Sequence, residues 1–150
     1  MRRYDGARAT LEANELHGNA GPNLLVTEGS DPLVLRNKIH SGDDAGVLIH
    51  QDGKGTLLWN NVFNNRTYGV AVLTGGAPTL RRNWLHGKRQ GGLLVDEGGE
   101  GEVYDNDIEG NTKAGVTLRG AGCAPHLHHN RIYNGRDSGV SRRGTFLDLS

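Results

Sequence analysis

The residues that could do chemistry are 17 aspartates and glutamates, seven histidines and one cysteine in 150 residues. The most suggestive acids are Asp96 and Glu97, followed by Asp105, Asp107 and Glu109. Two or three carboxylates a few ångströms apart on one outward face could cleave a polysaccharide by acid–base chemistry. Asp105 and Asp107 would share one side of an extended strand. Arg82 and Trp84, and before them Trp59 and Asn61, stand at the equivalent places of neighbouring sequence units. The acids therefore read as solvated turn residues, and no catalytic residue is expected.

His126, His128 and His129 cluster, and the first two would point the same way on a strand. A zinc site needs a third and usually a fourth ligand, so neither a metal nor another cofactor is expected. Cys123 lies between Gly122 and Ala124 with no second cysteine. It reads as a structural thiol rather than a nucleophile. A lone cysteine makes no internal disulfide, in keeping with a reducing compartment. The run Gly98-Gly99-Glu100-Gly101 lacks the Lys and Ser/Thr of a phosphate-binding loop.

The 17 Lys and Arg balance the 17 acids, which argues against a broad nucleic-acid footprint. The basic C-terminal residues Arg119, Arg131, Arg136, Arg142 and Arg143 read as a solvated face. No apolar run approaches membrane-spanning length. No hydrophobic stretch follows Arg2 and Arg3 as a secretory signal would require. A cytoplasmic or nuclear protein, with neither nucleic acid nor membrane as partner, is the expectation.

The elements that must position these groups come from a repeat. Asn14, Asn37, Asn60, Asn83, Asn106 and Asn130 recur every 23 residues, with 24 in the last interval. Three residues before each stands an aliphatic: Leu11, Val34, Leu57, Leu80, Val103, Leu127. Two after stands another: Leu16, Ile39, Val62, Leu85, Ile108, Ile132. Nine after come Gly46, Gly69, Gly92, Gly115 and Gly139, with Asn23 in the first unit. Aliphatics at ten and twelve after the anchor alternate with period two, as in a short strand. Arg142 breaks the last of these columns, and the extra residue of the long interval is expected near Gly120-Ala121-Gly122. No segment carries a helical period.

Three short strands per 23 residues make one coil of an all-β, right-handed parallel β-helix solenoid. Six coils at strand spacing give a rod of about 29 Å. The expected boundaries are an N-terminal extension at 1–8, repeats over 9–143 and a tail at 144–150. A leucine-rich repeat also tolerates this period. It explains neither the glycine column nor the small residues Ser30, Gly76 and Ala77 upstream of the leading aliphatics. A two-coil rhythm overlies the first: Pro32, Pro78 and Pro125 mark even units, and Asn19, Asn65 and Asn111 mark odd ones.

The asparagines should stack as an architectural amide column at a bend. The glycines should supply positive φ or close packing at a corner. His17, His40 and His86 share a column with Phe63, Glu109 and Tyr133, which reads as semi-exposed surface. Eleven after the anchor stand Leu25, Leu48, Ala71, Leu94, Thr117 and Ser141. An apolar stripe facing outward is a candidate surface for a protein partner.

The segments Pro32–His40, Ala77–Asn83 and Lys54–Leu57, with Asn60, Phe63, Asn64, Asn65 and Gly69, resemble the parallel β-helix repeats of the family of F-box only protein 10 and F-box only protein 11. Trp59, Trp84 and His126–His129 place the likeness nearer the first. It covers roughly residues 9–140. The resemblance implies the substrate-binding region of a receptor in an SCF (Skp1–cullin–F-box) ubiquitin ligase, with a protein substrate as partner. A Skp1-type adaptor would bind only through an F-box, which these residues do not contain. The same repeat class occurs in carbohydrate-binding and sugar-cleaving proteins, so that alternative stays open.

Overall fold

The computed structural model describes residues 8–87 and 90–143. The expected tail at 144–150, and all of the expected extension at 1–8 except Arg8, lie outside them. Every described strand is three to five residues long, and every pairing is parallel. The strands form three six-stranded sheets. The first sheet stacks Thr10–Glu12, Leu33–Leu35, Thr56–Leu58, Thr79–Arg81, Glu102–Tyr104 and His126–His128. The second stacks Glu15–His17, Lys38–His40, Asn61–Phe63, Trp84–His86, Asp107–Glu109 and Arg131–Tyr133. The third stacks Leu24–Val26, Val47–Ile49, Tyr68–Val72, Gly91–Val95, Val116–Arg119 and Val140–Arg143. Each coil contributes one strand to each sheet, giving a right-handed solenoid of six coils. Among the described residues no helix is long and apolar enough to cross a membrane.

The register follows the sequence columns. Leu80 pairs with Leu57 and Val103, Leu85 with Val62 and Ile108, and Leu93 with Val70 and Val116. Because side chains alternate across a strand, these files point inward. They form one continuous core from Val26 to Val116, flanked by Leu16, Leu24, Leu118, Leu127 and Ile132. Leu118 pairs with Arg142, which ends the inner file with an exposed cation.

The amide column forms at the bend between the first and second sheets. Asn83 Nδ2 donates to Leu57 O at 2.8 Å and to Asn106 Oδ1 at 3.0 Å, while its Oδ1 accepts from Asn60 N and Nδ2, each at 2.9 Å. The same pattern runs from Asn14 to Asn130. It satisfies buried amides and turn carbonyls together.

The glycine column works by close approach and not by positive φ. A Cβ on Gly92 would stand 2.5 Å from Ile108 Cγ2 and 2.8 Å from Gly115 O. Asn23, which fills this column in the first coil, likewise has no positive φ. Its Nδ2 instead reaches His40 O at 3.1 Å and Asn65 Oδ1 at 3.0 Å. A left-handed residue lies immediately before each ladder asparagine: Ala13, Arg36, Trp59, Arg82, Asp105 and His129, with φ between 54° and 59°. Each such residue costs about 1–2 kcal/mol, which the amide ladder beside it offsets.

The two-coil rhythm has a packing cause. Gly55 and Gly101, with φ of 107° and 124°, stack on Pro32 and Pro78, and a Cβ on Gly101 would stand 2.5 Å from Pro78 O. Proline and glycine therefore alternate along that corner. The extra residue lies in the link from Leu118 to His126, because Val95 pairs with Leu118 and Glu102 with His126.

Candidate functional site

The left-handed residue before each ladder asparagine turns its side chain away from the core, and the residue after each asparagine starts a second-sheet strand. In the middle coils these two positions hold Trp59 and Asn61, Arg82 and Trp84, and Asp105 and Asp107. Together with Asn60 and Asn83 they line an open cleft of about 620 Å³. Trp59 is 50% and Trp84 43% exposed, unusual for large apolar side chains.

Neighbours hold the cleft walls in place. The Arg82 guanidinium lies 5.2 Å from the Trp59 ring centroid, a cation–π contact. Trp84 stacks on His86 at 3.7 Å and donates Nε1–H to Glu109 Oε1 at 2.8 Å. His86 Nε2 lies 2.7 Å from Asn61 Oδ1. Burial holds the His86 pKa below the usual imidazole value, opposed by the charge of Glu109. Asp107 lies 3.5 Å from Arg131 and Asp105 4.0 Å from Arg81. The cleft thus offers two flat apolar faces rimmed by amides and by carboxylates already facing cations.

The five acids do not converge. Asp105 and Asp107 share the cleft but not one side of an extended strand, because Asp105 is left-handed at φ 59° and the buried Asn106 separates them at the bend. Asp96 lies on another corner, bonded to Arg119 at 2.9 Å, and that bond raises the Arg119 pKa. Glu97 there accepts from Thr74 at 2.6 Å.

The histidine column is an aromatic ladder running to the cleft. His17 and His40 stack at 5.0 Å, His40 and Phe63 at 4.7 Å, and Phe63 and His86 at 5.2 Å. Glu15 bonds His40 at 2.7 Å, which lowers the Glu15 pKa.

The outward stripe is in register from Leu25 through Leu48, Ala71 and Leu94 to Thr117. Its middle is covered. Ala71 and Leu94 are only 5% exposed and pack with Ala45, Leu48, Tyr68 and Leu73, and Thr117 is also buried. Only Leu25, at 51%, and part of Leu48 remain open. The stripe is mostly a satellite core, because Tyr68 and Leu73 fold over an outer face that strand alternation alone leaves bare.

At the far end of the first sheet, His126 Nδ1 and His128 Nε2 stand 3.2 and 3.7 Å from Glu102 Oε1. Sequence spacing suggested only the histidines. Glu102 stands four before Asn106 as His126 stands four before Asn130, so the repeat register carried the signal for this contact. Cys123 packs against the core and its thiol donates to Arg119 O at 3.1 Å.

No curated protein and no solved structure matches the chain. The family comparison reaches the repeat and indicates nothing of F-box only proteins. Residues 45–145, two thirds of the chain, match the family model described as the right-handed β-helix region, with the strand stacking seen here, and the chain belongs to that family.

Proposed function

We propose that this chain is a recognition scaffold rather than an enzyme, and that it presents a protein substrate to a ubiquitin ligase of the SCF type. The observation that carries the scaffold reading is the cleft. Two half-exposed indoles stand on a rigid stack, and the neighbouring acids already face Arg81, Arg131 or the Trp84 indole. Tryptophan is among the side chains enriched at the anchoring positions of protein interfaces. The ligase assignment rests on the resemblance of Pro32–His40, Lys54–Leu57 and Ala77–Asn83 to the F-box only repeats. In that arrangement the adaptor binds an F-box elsewhere, and the scaffold works in the cytoplasm or nucleus without cofactor, nucleic acid or membrane. Leu25 and Leu48 offer a second, smaller apolar contact.

The test compares proteins captured and ubiquitinated in cells by the wild type and by W59A/W84A. Anchor loss of about 2 kcal/mol or more weakens binding roughly thirtyfold, so substrates and their ubiquitination should be lost together. An unchanged set of ubiquitinated partners refutes the reading.

One observation favours a second reading, carbohydrate binding. Flat indole faces beside Asn61, Asp105 and Asp107 suit the apolar face and hydroxyl edge of a sugar ring. A glycan panel with and without calcium decides it, and turnover lost in Asp105→Ala would establish a cleaving enzyme instead.

A further inference from the structure

We propose that Glu102, His126 and His128 form a binding site for a divalent transition-metal ion of the zinc class. The site is distinct from the tryptophan cleft and does not depend on its function. His126 and His128 are alternate residues of one strand, so both imidazoles leave the same face while Leu127 between them packs against the core. Glu102 is the direct register partner of His126 on the adjoining strand. All three donor atoms lie within 4.8 Å of one another. Ligand atoms of a tetrahedral zinc shell are roughly 3.3 Å apart, given metal–ligand bonds of 2.0–2.2 Å. The His126 contact with Glu102, at 3.2 Å, already has that spacing, and the His128 contact is longer at 3.7 Å. The remaining edge, between the two imidazoles, lies within the same 4.8 Å.

A second observation points the same way. His128 Nδ1 lies 3.1 Å from His129 Nδ1, so one ring donates to the other according to their tautomers. With the proton on His128 Nδ1, its Nε2 keeps a lone pair directed at Glu102. An outer hydrogen bond of this kind fixes the tautomer of a metal-ligating histidine. Tyr104 stacks on His128 at 4.9 Å with rings 5° from parallel and sets the plane of the imidazole. His129 is the left-handed corner residue of its coil, with φ 58°, and its ring meets the His128 ring edge-on at 5.3 Å. Carboxylate plus two imidazoles suits zinc, nickel, cobalt or copper better than calcium or magnesium, which prefer all-oxygen shells. Three protein ligands leave a further position open to water or to a partner's side chain.

The test titrates the untagged full chain with Zn²⁺ against a chromophoric chelator, and with Co²⁺ by visible absorption. The wild type should take up one ion. Glu102→Gln, His126→Ala and His128→Ala should each weaken uptake by about a hundredfold or more, and His129→Ala by about tenfold, as loss of an outer-shell partner does. His17→Ala, a control at the other end of the rod, should bind as the wild type does. The conservative Glu102→Gln replaces an exposed side chain, so circular dichroism should be unchanged and loss of binding cannot be ascribed to unfolding. No uptake by the wild type overturns the proposal. Equal uptake by Glu102→Gln and the wild type overturns it as well.

Discussion

Replacing Asn83 by alanine tests the amide ladder at its centre. The substitution leaves the Leu57 carbonyl, the Asn60 amide N–H and one Asn60 Nδ2 hydrogen without their partner. Leu57 and Asn60 are buried, so water cannot replace the lost bonds. A stranded buried polar group costs about 1–3 kcal/mol, and the two stranded Asn60 donors give about 2–6 kcal/mol. With an m-value near 2 kcal/mol/M, the urea midpoint should fall by about 1–3 M. Trp84, next to Asn83, and Trp59, next to Asn60, report unfolding by fluorescence. Asn14 is the internal control. It is exposed and its side chain donates one bond, to Asn37 Oδ1, so Asn14→Ala should cost about 1 kcal/mol or less. Asn83→Asp separates acceptor from donor roles. It keeps the oxygen for Asn60, removes the donors to Leu57 O and Asn106 Oδ1, and buries a charge, so it should destabilise at least as much as alanine. Equal midpoint shifts for Asn83→Ala and Asn14→Ala would refute the claim that the buried ladder holds the bend.

Two further predictions concern the packing around the cleft. His86 has a folded pKa depressed from 6.5, chiefly by burial; its stabilising contribution is complete above about pH 6.5 and declines as the pH falls toward the folded value. His86→Phe, which copies Phe63 of the preceding coil, should flatten that part of a urea-midpoint profile between pH 8 and pH 5, and parallel profiles would count against it. Gly92→Ala forces a Cβ to within 2.5 Å of Ile108 Cγ2 and against the Gly115 carbonyl, so it should cost about 1–3 kcal/mol as overpacking does. A thermal melt checks this, and a gain in stability would refute close approach as the reason for glycine there.

The files of Leu80, Leu85 and Leu93 could be read from spacing because each inner position meets its copy one period away. The ladder asparagines were legible for the same reason. Positions 59, 82 and 105 were not. Tryptophan, arginine and aspartate there adopt left-handed backbone that their types do not announce, and that turn places Asp105 on the cleft wall. Strand alternation predicted that Ala71 and Leu94 face outward but not that Tyr68 and Leu73 would cover them. The Glu102–His126 contact was implicit in the columns, yet spacing within one unit does not reveal a partner 24 residues away.

The single 24-residue interval has a wider consequence. Its surplus residue is taken up between Leu118 and His126, while the strands on both sides keep their pairing. The amide bend cannot stretch in this way, because each carboxamide must reach the next coil. Growth of the loop that joins third-sheet strands to first-sheet strands would therefore leave the stack intact. New loops that altered binding behaviour could arise along that edge of the rod without disturbing its interior.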